Sequence, residues 1–329
     1  MENLKSKVDY YLTNCSYQKK LSEKTIKAYR IDLTQFEVFS EIYEKPFTKN
    51  CITQFILGLH QKYKPKTVKR KIASIRAFIN FLAFDDQIDE NPIGKMHLVF
   101  REPLILPKAL PLRTIHKLLR TAYVSLYEKH SERQYKLKLR NIAVLELLFA
   151  AGLRVSELCS IKHPDIDLKN GFVKVYGKGA RERIVFISNQ EALSALRKYK
   201  NAFSRQIKDK GWFFINRLGN KLQEQSVRDT ILSYAKTAKI AEHVTPHMIR
   251  HSFATLMLEE DVDIRYIQDI LGHSSITTTQ IYTHVSLGKQ RSIMRKKHPR
   301  NKIPMRLELF NTGDNVRLSS EGEDSLQNK

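Results

Sequence analysis

The chain has 329 residues, 42% hydrophobic and 28% charged, which is enough for two domains with a substantial core. Its 57 Lys and Arg against 34 Asp and Glu leave a formal charge of +23, which calls for a polyanionic partner, usually nucleic acid. With no apolar run of membrane-spanning length, no apolar signal core and no CxxC among three scattered cysteines, the chain is expected to have no membrane span, not to be secreted, to lack a cysteine-built zinc cluster and to work in the reducing cytoplasm.

The first hundred residues read as four helices, at 2–15, 22–41, 48–62 and 66–84. Ser22 is a suitable N-cap for the second, and Ile26, Tyr29, Leu33, Phe36 and Val38 supply its apolar stripe. The fourth, KTVKRKIASIRAFINFLAF, sets Lys66, Lys69, Arg70 and Arg76 beside an apolar stripe of Ile72, Ile75, Ile79 and Leu82. Such a helix packs on one face and meets phosphates on the other; a solvated basic face is the plainer alternative. Residues 90–111 hold four prolines and little periodicity, a linker that divides the chain near residue 105.

Helices resume at 112–129 and 137–151, where Gly152 interrupts, and a short one follows at 154–161. Residues 172–187 read as a β-hairpin around GKGARE. A helix covers 190–208 and WFFIN at 212–216 is a short buried segment. Further helices follow at 223–239, 246–260, 263–271, 276–284 and 288–297. The stretch 301–329 is polar, aperiodic and expected to be disordered.

The helix TPHMIRHSFATLM, residues 245–257, carries three cationic or titratable groups at its start. Thr245 suits the N-cap and Pro246 the first helical position. His247 then lies where free N–H groups and the positive dipole end favour an anion, and Arg250 shares its face. This reads as a phosphate cradle. Two alternatives stand beside it: His247 and His251 have a zinc-binding i,i+4 spacing, and the polar residues could serve only as caps. Downstream, one helix ends at Gly272, His273 follows it, and Tyr282 lies nine residues on. Upstream, Arg154 follows the glycine-broken helix and Lys178 sits in the hairpin turn.

Together these pieces resemble the tyrosine recombinase, or phage integrase, family. The matching motifs are A-G-L-R-x-S-E-L at 151–158, Lys178 in the hairpin, H-x-x-R-H at 247–251, L-G-H at 271–273 and I-Y-T-H at 281–284, in the family's order and spacing. The resemblance covers essentially the whole chain. It implies a mainly α protein: a four-helix core-type DNA-binding domain at 1–100, a linker at 101–111, and a mixed, mostly helical catalytic domain at 112–300 with a small antiparallel β-hairpin sheet. The arm-binding domain of some phage integrases is expected to be absent.

The resemblance also implies site-specific breakage and rejoining of double-stranded DNA. Tyr282 is then the nucleophile that forms a 3′-phosphotyrosyl intermediate, and Arg154 and Arg250 hold the phosphate oxygens. Lys178 is the general acid for the leaving 5′ oxygen, His247 assists proton transfer from Tyr282, and His273 bonds the scissile phosphate. Glu157 fixes the first arginine. Neither metal nor other cofactor is implied, because arginine and lysine supply the charge that metal ions supply elsewhere. The family acts as a homotetramer in the synapse, and SLGKQRSIMRKKH after Tyr282 is a candidate for docking onto a neighbouring protomer.

Each residue also has a plainer reading. Arg154 and Glu157 could form a surface ion pair, Lys178 could be a turn lysine, and Lys174, Arg181 and Arg183 compete with it on the same hairpin. Tyr266 competes with Tyr282 but sits among apolar residues and is expected to pack. Three other functions are weighed: DNA relaxation of the topoisomerase IB type, a non-catalytic DNA-binding relative, and a metal-dependent hydrolase on His247 and His251.

Overall fold

The computed structural model describes residues 4–94, 96, 109–177, 182–272 and 287–305. Two compact units divide at Ile105 and Leu106.

The first unit holds α1 (Leu4–Tyr17), α2 (Glu23–Ser40), α3 (Lys49–Lys62) and α4 (Pro65–Phe84). The Ser22 and Thr48 hydroxyls accept the Thr25 and Cys51 N–H groups, so each helix starts where a side chain replaces a missing backbone acceptor. The expected stripe on α4 is buried throughout, and it packs with Leu33, Phe36, Ile52 and Tyr11 into one core. On α2 the stripe departs from expectation at Val38, which is exposed. Residues 29, 33, 36 and 40 keep a three-to-four spacing, and position 38 falls off that face. Asp32 lies on it instead, fully buried. Lys71 Nζ and Ser74 Oγ donate to its two oxygens at 2.9 and 2.8 Å, and Arg70 pairs with it as well. A buried carboxylate is tolerated only with such partners.

The second unit is built around α6 (Glu132–Ala151), which is buried on every side from Ile142 onward. It starts five residues before the expected position because Ser131 and Gln134 form a capping box. Around it lie α5 (Leu112–Val124), α7 (Val155–Cys159), α8 (Gln190–Ala202), α9 (Ser204–Lys210), α10 (Glu224–Thr237), α11 (Pro246–Glu259), α12 (Ile264–Leu271) and α13 (Leu287–Lys297). The helix expected at 190–208 is broken at Phe203, whose backbone leaves helical geometry and whose ring turns inward against Tyr199 at 5.1 Å. The WFFIN segment is buried as expected at Phe213, Phe214 and Ile215. Tyr199 Oη donates to the Phe213 carbonyl and accepts from the Ile215 N–H.

The hairpin is β2 (Phe172–Tyr176) paired antiparallel with β3 (Glu182–Phe186), from Phe172 opposite Phe186 to Tyr176 opposite Glu182. A third strand, β1 (Ile166–Asp167), pairs with β2. Two residues show no alternation, so the sequence does not reveal it.

The α13 helix rests on its own unit: Met294 is buried, and Lys297 Nζ donates to the Glu260 carbonyl at 2.7 Å. The chain past it stays packed to Met305, where the sequence reading places a polar tail from 301. Arg300 is fully buried and bonds the Glu146 oxygens at 2.8 and 2.7 Å, and Ile303 joins the core.

Candidate active site

The site is assembled where four helix ends meet, those of α6 and α12 and the starts of α7 and α11. The α6 helix stops at Gly152, whose φ of +57° lies in the left-handed region. A Cβ there would stand 2.6 Å from the Phe253 ring, so the motif needs glycine on two counts. The turn it makes places Arg154 at the cap of α7, and Glu157 one turn in. The Arg154 N–H donates to Glu157 Oε2 at 2.9 Å, and its Nη1 donates to Oε1 at 2.8 Å.

The α11 helix starts as its sequence proposes. Thr245 Oγ1 accepts the Met248 N–H at 3.2 Å, and Pro246 holds the first position. His247 is exposed on this first turn, and Arg250, one turn on, is buried. Ile249, Phe253 and Leu256 face the core. Arg250 Nη1 donates to the Gly152 carbonyl and Nη2 to the Leu271 carbonyl, both at 2.7 Å. Its Nη1 also stands 3.8 Å from Glu157. Burial, reinforced by the Arg154 charge, lowers the Arg250 pKa to about 10, so the group stays protonated at neutral pH.

The α12 helix ends at Gly272, with φ +65°. Its last carbonyls have no helical partner and carry the negative end of the dipole, which suits cations. Arginines take them: Arg183 Nε donates to Ile270 at 2.7 Å, Arg250 takes Leu271, and Arg154 Nη2 approaches Gly272 at 3.4 Å. Arg183 also grips Glu157 with both Nη groups, at 3.0 and 2.9 Å. Burial alone would raise the Glu157 pKa. Arg183, then Arg154, more than offset it and hold the carboxyl below its ordinary value. Three guanidiniums thus share one buried carboxylate and leave an excess of positive charge. Arg154, about one-third exposed, opens it to solvent. An arrangement of this kind binds an anion with oxygens in a plane.

The structure therefore brings together Arg154, Glu157 and Arg250, with His247 on the first turn of the helix that carries Arg250. Lys178, His273 and Tyr282 lie outside the described residues, as does Arg181. Tyr266 is partly buried against the core, as expected. Lys174 is 3.9 Å from Glu182 across the hairpin. Among the described residues, no three His, Cys, Asp or Glu side chains group as metal ligands, and no helix is long and apolar enough to cross a membrane. In the first unit Lys66, Lys69, Arg70 and Arg76 are exposed on α4, with Arg70 held by Asp32.

Sequence reading missed the role of Arg183, which it weighed only as a rival to Lys178. The signal was present. Strand alternation puts Arg183 on the same face as Val185 and Ile187, both buried, so a cation there requires a partner.

Residues 117–288 match the phage integrase family, and residues 8–84 match the N-terminal SAM-like domain of phage integrases. A tyrosine recombinase of Agathobacter rectalis is 48% identical over 303 residues, covering 91% of this chain and 98% of the relative. A tyrosine recombinase XerC of Thermodesulfovibrio yellowstonii is 37% identical over 311 residues, covering 92% and 99%. The crystal structure of a lambda integrase tetramer bound to a Holliday junction aligns with a TM-score of 0.64 over 85% of this chain and 80% of that one. At 18% identity it speaks to the shared fold alone.

Proposed function

Because the chain belongs to the phage integrase family of tyrosine recombinases and is a site-specific DNA recombinase, we propose that Arg154, Arg250, His247, Lys178, His273 and Tyr282 form its catalytic set. The Tyr282 phenol oxygen attacks the scissile phosphorus. The bond from phosphorus to the 5′ oxygen breaks, and a 3′-phosphotyrosyl ester forms. His247 takes up the phenol proton, and Lys178 gives a proton to the departing 5′ oxygen. One phosphate ester replaces another, so a 5′ hydroxyl from a second strand reverses the step without ATP. Arg154 and Arg250 neutralise the non-bridging oxygens as charge builds on them, and His273 adds a hydrogen bond. Neither metal nor other cofactor enters the scheme.

The observation that supports this reading best is the convergence of Arg154 and Arg250 on Glu157 and on the Leu271 and Gly272 carbonyls, immediately before His273. Arg250 spends one hydrogen bond from each Nη on the carbonyls that frame the site, which holds its guanidinium beside Arg154. In this scheme residues 1–100 grip the duplex through Lys66, Lys69, Arg70 and Arg76, and residues 112–300 carry the chemistry. Four copies assemble on two double-stranded DNA sites in the cytoplasm, and exchange of the α13 segment between copies is one way to couple them. The test is cleavage of a nicked suicide duplex. The wild type should give a covalent protein–DNA adduct, and Arg154→Ala should lose about 100-fold or more in its rate. No adduct from the wild type, or full activity in Arg154→Ala, refutes the scheme.

A further inference from the structure

We propose that Arg183 is a positioning residue for recombination, which aims the phosphate-binding arginines through Glu157 and ties them to the hairpin that carries Lys178. The inference rests on the catalytic reading above and extends it to a side chain that reading leaves out.

Arg183 belongs to β3, the strand that leaves the Lys178 turn. Its guanidinium makes three bonds to two other segments: two to the Glu157 carboxylate on α7, and one to the Ile270 carbonyl at the end of α12. It is thus a single rigid fork joining the segments that supply Lys178, Arg154 and His273. Its fit is close on the far side too, since a Cβ on Gly272 would lie 2.9 Å from Arg183 Nη1.

Glu157 is the lever. It has two oxygens, and Arg154 and Arg183 share Oε1. Oε2 accepts Arg183 and the Arg154 backbone N–H. With Arg183 in place, the carboxylate plane is fixed by two bonds, and Oε1 is presented to Arg154 Nη1 at 2.8 Å. Without it, Glu157 is free to rotate away from this orientation toward Arg250, now 3.8 Å away, and to draw Arg154 with it. Lysine is no equal substitute: it keeps the charge but offers no planar fork for Glu157 and Ile270 together.

A purely architectural Arg183 would lower stability and reduce every reaction alike. A positioning Arg183 makes a narrower prediction, because its effect passes through charge neutralisation at the phosphate. A methylphosphonate at the scissile position replaces one charged oxygen with methyl, so the reaction depends less on the arginines. The experiment uses the full-length chain and a nicked duplex carrying the site recovered by sequencing DNA trapped on the wild type. Arg183→Gln, Arg183→Lys and Arg154→Ala are compared for single-turnover cleavage of phosphate and methylphosphonate versions, with gel-shift affinity and melting temperature alongside.

The expected result is a cleavage loss of about 100-fold for Arg183→Gln on phosphate, shrinking to about tenfold or less on methylphosphonate in parallel with Arg154→Ala. Site affinity should stay near wild type, and Arg183→Lys should fall between. If Arg183→Gln does not fold, Arg183→Lys is judged by the same ratio. The proposal is overturned if the variants cleave phosphate like the wild type, or if their loss is equal on both substrates while that of Arg154→Ala shrinks. If Arg154→Ala itself loses nothing, the phosphate-clamp reading fails, and this proposal fails with it.

Discussion

Arg250 donates to the Leu271 carbonyl at 2.7 Å, so the helix that opens with His247 is bonded to the residue two before His273. The same guanidinium reaches back to the Gly152 carbonyl, two residues before Arg154. One buried side chain therefore sets the spacing among three segments far apart in sequence.

Glu157→Gln should damage this arrangement more than its small change in shape suggests. It removes the one negative charge among three guanidiniums, and breaking a buried pair of this kind costs on the order of 3 kcal/mol. The folded-state carboxyl is held below the ordinary 4.5, so its contribution is complete above that pH and is lost as pH falls through the folded value. Denaturant melts at pH 7 and below pH 4 should therefore show a wide gap between wild type and Glu157→Gln that narrows in acid.

Gly152→Ala should destabilise the second unit by about 1–3 kcal/mol. The positive φ strains an L side chain, and the added carbon meets the Phe253 ring. A lower melting temperature with unchanged DNA-site sequence preference is the expected pattern.

The buried Arg300–Glu146 pair makes the segment beyond α13 part of the fold. Arg300→Met alone should cost about 3–5 kcal/mol by stranding Glu146, whereas Arg300→Met with Glu146→Met should recover most of it. Truncation before Ser286, the start of the candidate docking segment, removes Met294 and Arg300 from this core and so tests folding before it tests docking. His298 adds a pH signature. Burial, with the Arg300 charge, pushes its pKa down to about 3, so the unfolded chain protonates first. Through His298, stability should fall as pH drops below 6.5, by about 1.2 kcal/mol between pH 6 and 5, and His298→Gln should show a shallower slope.

On α4, Lys66→Ala and Arg76→Ala should weaken DNA binding equally across sequences, each lowering the salt slope of log K by about 0.9. Arg70→Ala should instead also lower stability, because it loosens the buried Asp32 cluster. Salt titrations of binding separate the two outcomes.

Much of this was legible in the sequence. The helices of the first unit announce themselves through Ser22 and the α4 stripe, and the α11 start through Thr245 and Pro246. What escaped were features that local patterns do not encode. Phe203 breaks a helix because its ring is drawn inward, and β1 is too short to alternate. Arg183 and Arg300 look like surface cations until the carboxylates of Glu157 and Glu146 arrive from elsewhere in the chain. Asp32 escaped as well, although an acid three residues after Tyr29 and four before Phe36 lies on the apolar face and demands a buried cation, here Lys71.

The most direct test of the central claim is to map the DNA-linked residue. Trapped adduct from a nicked suicide duplex is digested with protease and nuclease, and the peptide carrying the nucleotide is sequenced by mass spectrometry. The account predicts a single linkage at Tyr282 and none in Tyr282→Phe. A linkage at Tyr266 or any other residue, or an adduct that survives in Tyr282→Phe, would contradict it.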